Sequence, residues 1–206
     1  MKTPSLSTNN IHRTLARSAL LPVFLLLACL AFSPHARAVC QEGCLNGNST
    51  VLGDGALSVA SGGGNTALGY AALEFTTTGY NNTATGYVAL TNNTDGQVNT
   101  AVGSHVLRFN TTGSANTAVG DDVLYSNTTG HDNTASGGGA LYFNITDSYN
   151  TGIGVGALNM NSTADDNVAI GYYALLNNTD GHDNTAVGFG ALVGNTHGFS
   201  NIALGL

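Results

Sequence analysis

From Ser49 to the end of the chain, apolar and polar positions recur on a 17-residue period. Column 1 of each period is Asn, at Asn65, Asn82, Asn99, Asn116, Asn133, Asn150, Asn167, Asn184 and Asn201. Column 5 is Gly, from Gly69 to Gly205 at the same spacing. Column 3 is Ala except at Gly152, and column 4 is mostly branched or apolar, with Thr85 and Ser136 departing. Column 9 is Leu in every full copy, from Leu73 to Leu192. A fixed period of this size marks one structural unit stacked on itself.

Columns 1 to 5 read as a short strand closed by a glycine turn. The invariant Leu of column 9, preceded by a small apolar residue, reads as a second short strand. Columns 12 to 15 carry Asn-Thr-Thr-Gly or a variant, as in Asn110–Gly113 and Asn127–Gly130, and suit a turn with positive φ. Columns 16 and 17 vary freely and are expected at the surface. These elements predict an all-β fold, a parallel β-solenoid (β-roll) of about 17 residues per coil with two short strands per coil. Coils pairing at about 4.8 Å would make a rod of about 40 Å.

Constancy between copies predicts which columns face inward, because an interior tolerates few sizes. Columns 1, 3, 5 and 9 barely change. The expected core ladder therefore includes Asn99, Asn116 and Asn133, with Leu107, Leu124, Leu141 and Leu158. Stacked amides of this kind satisfy one another along a cross-β array. Columns 2 and 4 would then form an outer stripe, with Thr100 and Val102, Thr117 and Val119, Thr151 and Ile153, and Thr185 and Val187 as contact candidates. A one-residue slip exchanges the two faces of a strand, so the opposite parity stays open.

The first 38 residues are of another kind. They hold Lys2, Arg13, Arg17 and Arg37, no acid, an apolar run from Ala19 to Phe32, and Ala36-Arg37-Ala38. Residues 1–38 read as a secretory signal peptide cut before Val39. Leu26-Leu27-Ala28 before Cys29 is the rival, lipoprotein reading. Residues 39–48 read as an N-terminal cap, where Cys40 and Cys44 are disulfide candidates in an oxidising compartment, within one chain or between chains. Residues 49–206 are the repeat domain. The C-terminal end carries an ordinary strand motif, so Asn201, Ile202, Ala203 and Leu204 are expected to make end-to-end contacts. No integral membrane span is expected in the mature chain.

After the signal segment, Arg108 is the one strong cation against twelve carboxylates. No basic patch exists for nucleic acid or anionic lipid. Nucleophile, base and orienter do not occur together, so no catalytic residue and no cofactor are expected. His131 and His182 share column 16 three coils apart, about 14 Å by strand spacing, too far to share a metal. Asp121-Asp122, Asp165-Asp166 and Asp180-Gly-His-Asp183 lack a full Ca²⁺ ligand set and read as solvated turn acids, so no metal site is expected. Asn-x-Ser/Thr sequons at Asn48, Asn81, Asn92, Asn110, Asn127, Asn144, Asn161 and Asn177 read as by-products of the turn rather than glycan sites.

Segments such as Asn99-Thr-Ala-Val-Gly103, Asn116-Thr-Ala-Val-Gly120 and Asn167-Val-Ala-Ile-Gly171 resemble the head repeats of YadA-like trimeric autotransporter adhesins. Related Asn-Thr-Ala-Val-Gly repeats occur in bacterial surface and tail-fibre-like proteins. The resemblance covers Ser49 to Leu206. It implies a left-handed parallel β-roll, trimerisation through one roll face, and adhesion to host or matrix molecules. The period here is longer than in those heads, and neither a coiled-coil stalk nor a membrane barrel follows.

These readings lead to a secreted, non-enzymatic structural or adhesive protein at the surface of a Gram-negative bacterium. Its expected partner is itself, as a homotrimer or head-to-tail filament, with host or matrix molecules as further partners. The alternative is an ice-binding solenoid that uses its Thr column. A polysaccharide-active β-helix is weaker, since the acids scatter through turns.

Overall fold

A computed structural model describes residues 48–59 and 62–205. The signal segment 1–38 and the Cys40–Cys44 pair lie outside the described residues. The chain divides into two units, 1–38 and Val39–Leu206, and every described residue belongs to the second.

The fold is an all-β solenoid with about 17 residues per turn. Its strands are β1 (Thr50–Leu52), β2 (Thr66–Leu68), β3 (Thr83–Thr85), β4 (Thr100–Val102), β5 (Thr117–Val119), β6 (Thr134–Ser136), β7 (Thr151–Ile153), β8 (Val168–Ile170), β9 (Thr185–Val187) and β10 (Ile202–Leu204). They form one ten-stranded parallel sheet in chain order. Register repeats without a slip, so Thr83, Thr100, Thr117, Thr134 and Thr151 stand in one row. Each strand is only three residues long, and a single parallel pair of that length would not hold. The stack is stable because every coil is covered by its neighbours.

Each coil contains one strand, not two. Columns 8 and 9, expected as a second strand, form a tight turn instead. The column-9 leucines have left-handed backbones, as at Leu107 (φ 51°), Leu124 (φ 49°) and Leu158 (φ 53°). Column 7 is left-handed too, as at His105 and Asp122, both at φ 55°. Such a backbone costs an L-residue about 1–2 kcal/mol. Here it is held by coil-to-coil bonds: Leu107 N donates to Val123 O at 3.0 Å and His105 N to Tyr87 O at 2.9 Å. The turn drives each Leu side chain into the axis of the coil, where Leu73 through Leu175 have no exposed surface. Column-3 Ala and column-8 Ala or Val pack beside them and complete a narrow core.

The glycines of columns 12 to 15 also depart from expectation. Gly113 and Gly130 do not have positive φ; the left-handed residues of that corner lie in column 17, as at Ala115 and Asp132. Gly is needed there for closeness. A Cβ at Gly113 would overlap Asn110 Oδ1 and the Gly130 carbonyl of the next coil.

Candidate functional site

The outer face of the ten-stranded sheet repeats from coil to coil. In β2 to β9 the middle residue is buried and the two flanking residues point outward. Thr100, Thr151, Thr185 and Val187 are half-buried, and Thr117 is exposed. Val102, Val119, Ile153 and Ile170 are 36–41% exposed, an apolar file beside the Thr file that Ser136 interrupts between Val119 and Ile153. At the last strand, Ile202 and Leu204 are 77% and 76% exposed, while Asn201 and Ala203 are half-buried. β10 pairs with β9 alone, so its other edge has no strand partner among the described residues.

Two buried amide ladders run along the stack. Asn99, Asn116 and Asn133 are fully buried in column 1. Asn99 Oδ1 accepts from both the backbone N–H and the side-chain amide of Asn116, at 3.0 and 3.2 Å. A second ladder runs through column 12: Asn110 Nδ2 donates to Asn93 Oδ1 at 2.8 Å, and Asn127 Nδ2 to Asn110 Oδ1 at 2.7 Å. Sequence reasoning took these residues for turn formers. The near-invariance of Asn in that column was the available signal. Four of the sequon residues, Asn110, Asn127, Asn144 and Asn161, belong to this ladder and have no exposed surface, so the folded coil hides them from glycosylation.

The column pattern breaks at two buried polar residues. Thr76 takes the place of a column-12 Asn, and its buried Oγ1 has no hydrogen-bond partner. Asp147 takes the place of a column-15 Gly. It is 9% exposed, and its Oδ2 has no partner. Burial raises the Asp147 carboxyl above the ordinary range, and the charge of Asp165 adds to the effect.

The turn side of the stack carries aromatic files. Tyr70 stacks on Tyr87 at 5.4 Å, Tyr125 on Tyr142 at 4.9 Å, and Tyr172 on Phe189 at 5.2 Å. Desolvation pushes the Tyr142 phenol up, helped by Tyr125 and Asp122. An open cleft of about 660 Å³ runs beside them, with Phe75 and Phe109 two coils apart, Asn92 and Ser126 in the gaps, and Thr94, Thr111 and Thr128 opposite. His131 and His182 each pair with the next residue in the chain, Asp132 at 2.9 Å and Asp183 at 2.8 Å. His105 was not singled out from sequence. The stack brings it to Asp121 and Asp122 of the following coil, with one ligand atom from each residue lying within 4.8 Å of the others. The signal was a shared column, since His105 and Asp122 both occupy column 7.

Compared with known proteins, the chain matches no family model, no curated protein and no solved structure at a significant level. Among the described residues, no helix is long and apolar enough to cross a membrane.

Proposed function

We propose that this protein is an exported structural or adhesive surface protein, without catalytic activity, that self-associates through the outer face of its sheet. The observation that carries this reading is the aliphatic residues Val102, Val119, Ile153 and Ile170, aligned in one register of the parallel sheet on either side of Ser136 and left facing solvent. Isolated exposed aliphatics are ordinary on a soluble protein; aliphatic pairs aligned on one face of a sheet, parted only by Ser136, mark an interaction surface. Two or three such faces laid together would bury the file and leave the Thr hydroxyls at the rim. The resemblance to trimeric adhesin heads agrees with that arrangement, and the rigid rod suits contact with host or matrix molecules. Light scattering tests it. Wild-type protein at tens of micromolar should be oligomeric, and Val119→Glu with Ile153→Glu should shift it toward monomer with unchanged β-sheet circular dichroism. A monodisperse wild-type monomer would overturn the reading.

One observation favours a second reading. The in-register Thr file from Thr83 to Thr151 presents hydroxyls at about the 4.8 Å strand repeat. A regular hydroxyl array of that kind could order water against ice. Thermal hysteresis in a monomeric preparation, abolished by Thr117→Leu, would favour ice binding over self-association.

A further inference from the structure

We propose that His105, Asp121 and Asp122 form a binding site for a divalent transition-metal ion of the zinc type. His105 belongs to one coil and Asp121 and Asp122 to the next, and they come together only because the stack places column 7 of one coil directly over column 7 of the next. Their backbones are fixed by the inter-coil ladder: His105 N donates to Tyr87 O at 2.9 Å, and Asp122 N to Ser104 O at 3.0 Å. The shared left-handed conformation, φ 55° at both His105 and Asp122, points the two side chains the same way. One imidazole nitrogen and two carboxylate oxygens converge within 4.8 Å.

The separation fits a shared ion better than a direct contact. His105 Nδ1 lies 3.3 Å from Asp122 Oδ1, and its hydrogen-bond partner is Ser104 Oγ at 3.2 Å. Metal–ligand bonds of about 2.0–2.1 Å in a tetrahedron set ligand–ligand distances of about 3.3 Å. The remaining adjustment falls on Asp121, which is exposed and can swing. By contrast, the His131–Asp132 and His182–Asp183 pairs are closed at 2.9 and 2.8 Å around a single carboxylate.

The surroundings leave room for the ion and its waters. The next coil has Gly138 and Gly139 in the two columns above Asp121 and Asp122, and a Cβ at Gly138 would meet nothing closer than Asp121 O at 4.0 Å. The rings of Tyr87 and Tyr125, from the coils before and after, meet the His105 imidazole edge-on at 5.4 and 6.4 Å. Two carboxylates and a neutral imidazole balance a dication. An imidazole with only two acids suits a borderline ion, whereas Ca²⁺ asks for six to eight oxygens.

Calorimetric titration of the full chain with Zn²⁺ and with Ca²⁺ tests the site. His105→Asn and Asp122→Asn are the variants, because Asn tolerates the left-handed backbone and keeps the fold, to be checked by circular dichroism. Wild-type protein should bind a Zn²⁺ equivalent that each variant loses or binds at least about tenfold more weakly, with His131→Asn unaffected. Zn²⁺ should also raise the melting temperature of the wild type and not of the His105→Asn variant. Unchanged Zn²⁺ stoichiometry and affinity in both variants, no Zn²⁺ binding, or Ca²⁺ bound at this site as tightly as Zn²⁺ would overturn the proposal.

Discussion

Asn99 and Asn110 donate their side-chain amides to the same oxygen, the carbonyl of Gly113, at 2.8 and 2.9 Å. The two ladders thus meet inside every regular coil. Asn116 and Asn127 repeat the arrangement on Gly130, at 2.8 and 3.0 Å. A narrow core built from Ala and Leu has little apolar area, so hydrogen bonds buried from water carry an unusual share of its order.

Removing one rung should therefore cost more than its own bonds. Asn116→Ala leaves the Asn133 backbone N–H and one of its two amide hydrogens without an acceptor, the other still donating to Asp147 O, and each buried polar group so stranded costs about 1–3 kcal/mol. Chemical denaturation should show a loss of several kcal/mol, against a near-neutral Thr117→Ala on the exposed face.

The reverse change should stabilise. Thr76→Asn would complete the column-12 ladder at its first rung, supplying an acceptor to Asn93 Nδ2, which at present donates only to Gly96 O at 3.0 Å. It also removes the unpartnered Thr76 hydroxyl. A gain of about 1 kcal/mol is expected, read as a raised midpoint in urea at unchanged slope.

The Leu column tests the turn. Leu124 is fully buried at φ 49°. Leu124→Ile keeps the volume but places a β-branched residue on a left-handed backbone. It should cost clearly more than the roughly 1.5 kcal/mol ceiling of an ordinary isosteric swap. Leu124→Asp should unfold the middle of the stack, whereas His131→Asp at the surface should be nearly neutral. Equal melting temperatures for Leu124→Ile and wild type would contradict the turn.

Asp147 should make stability depend on pH in one direction. Its carboxyl titrates higher in the folded chain than in the unfolded one, first from burial and then from Asp165. The folded state therefore binds the proton more tightly, and stability falls as pH rises from about 4 through the folded pKa. Asp147→Asn removes this component. Wild type and variant should melt nearly together at about pH 3, and the variant should melt higher at about pH 7.

Much of the architecture was legible without coordinates. An unbroken period from Asn65 to Asn201 admits only a stack, because identical units must meet identical neighbours, and the same reasoning placed the parallel register. Local pattern failed at the turns. Leu after a small apolar residue looks like a strand, since nothing in its chemistry announces a left-handed backbone; the coil-to-coil bonds override the intrinsic preference. Likewise Gly113 resembles a positive-φ turn glycine, yet the closeness of Gly130 is what requires it.

By itself, then, the chain determined a period, a direction of stacking and a set of columns, because these follow from repetition alone. Only the tertiary structure decided how the columns meet. That the Asn99 and Asn110 amides share one oxygen depends on how the coil closes on itself, over positions 11 residues apart. That His105 faces Asp121 and Asp122 depends on backbone dihedrals and on the height of one coil above the next. Neither is a property of any local segment, and both arise from pairing across the stack.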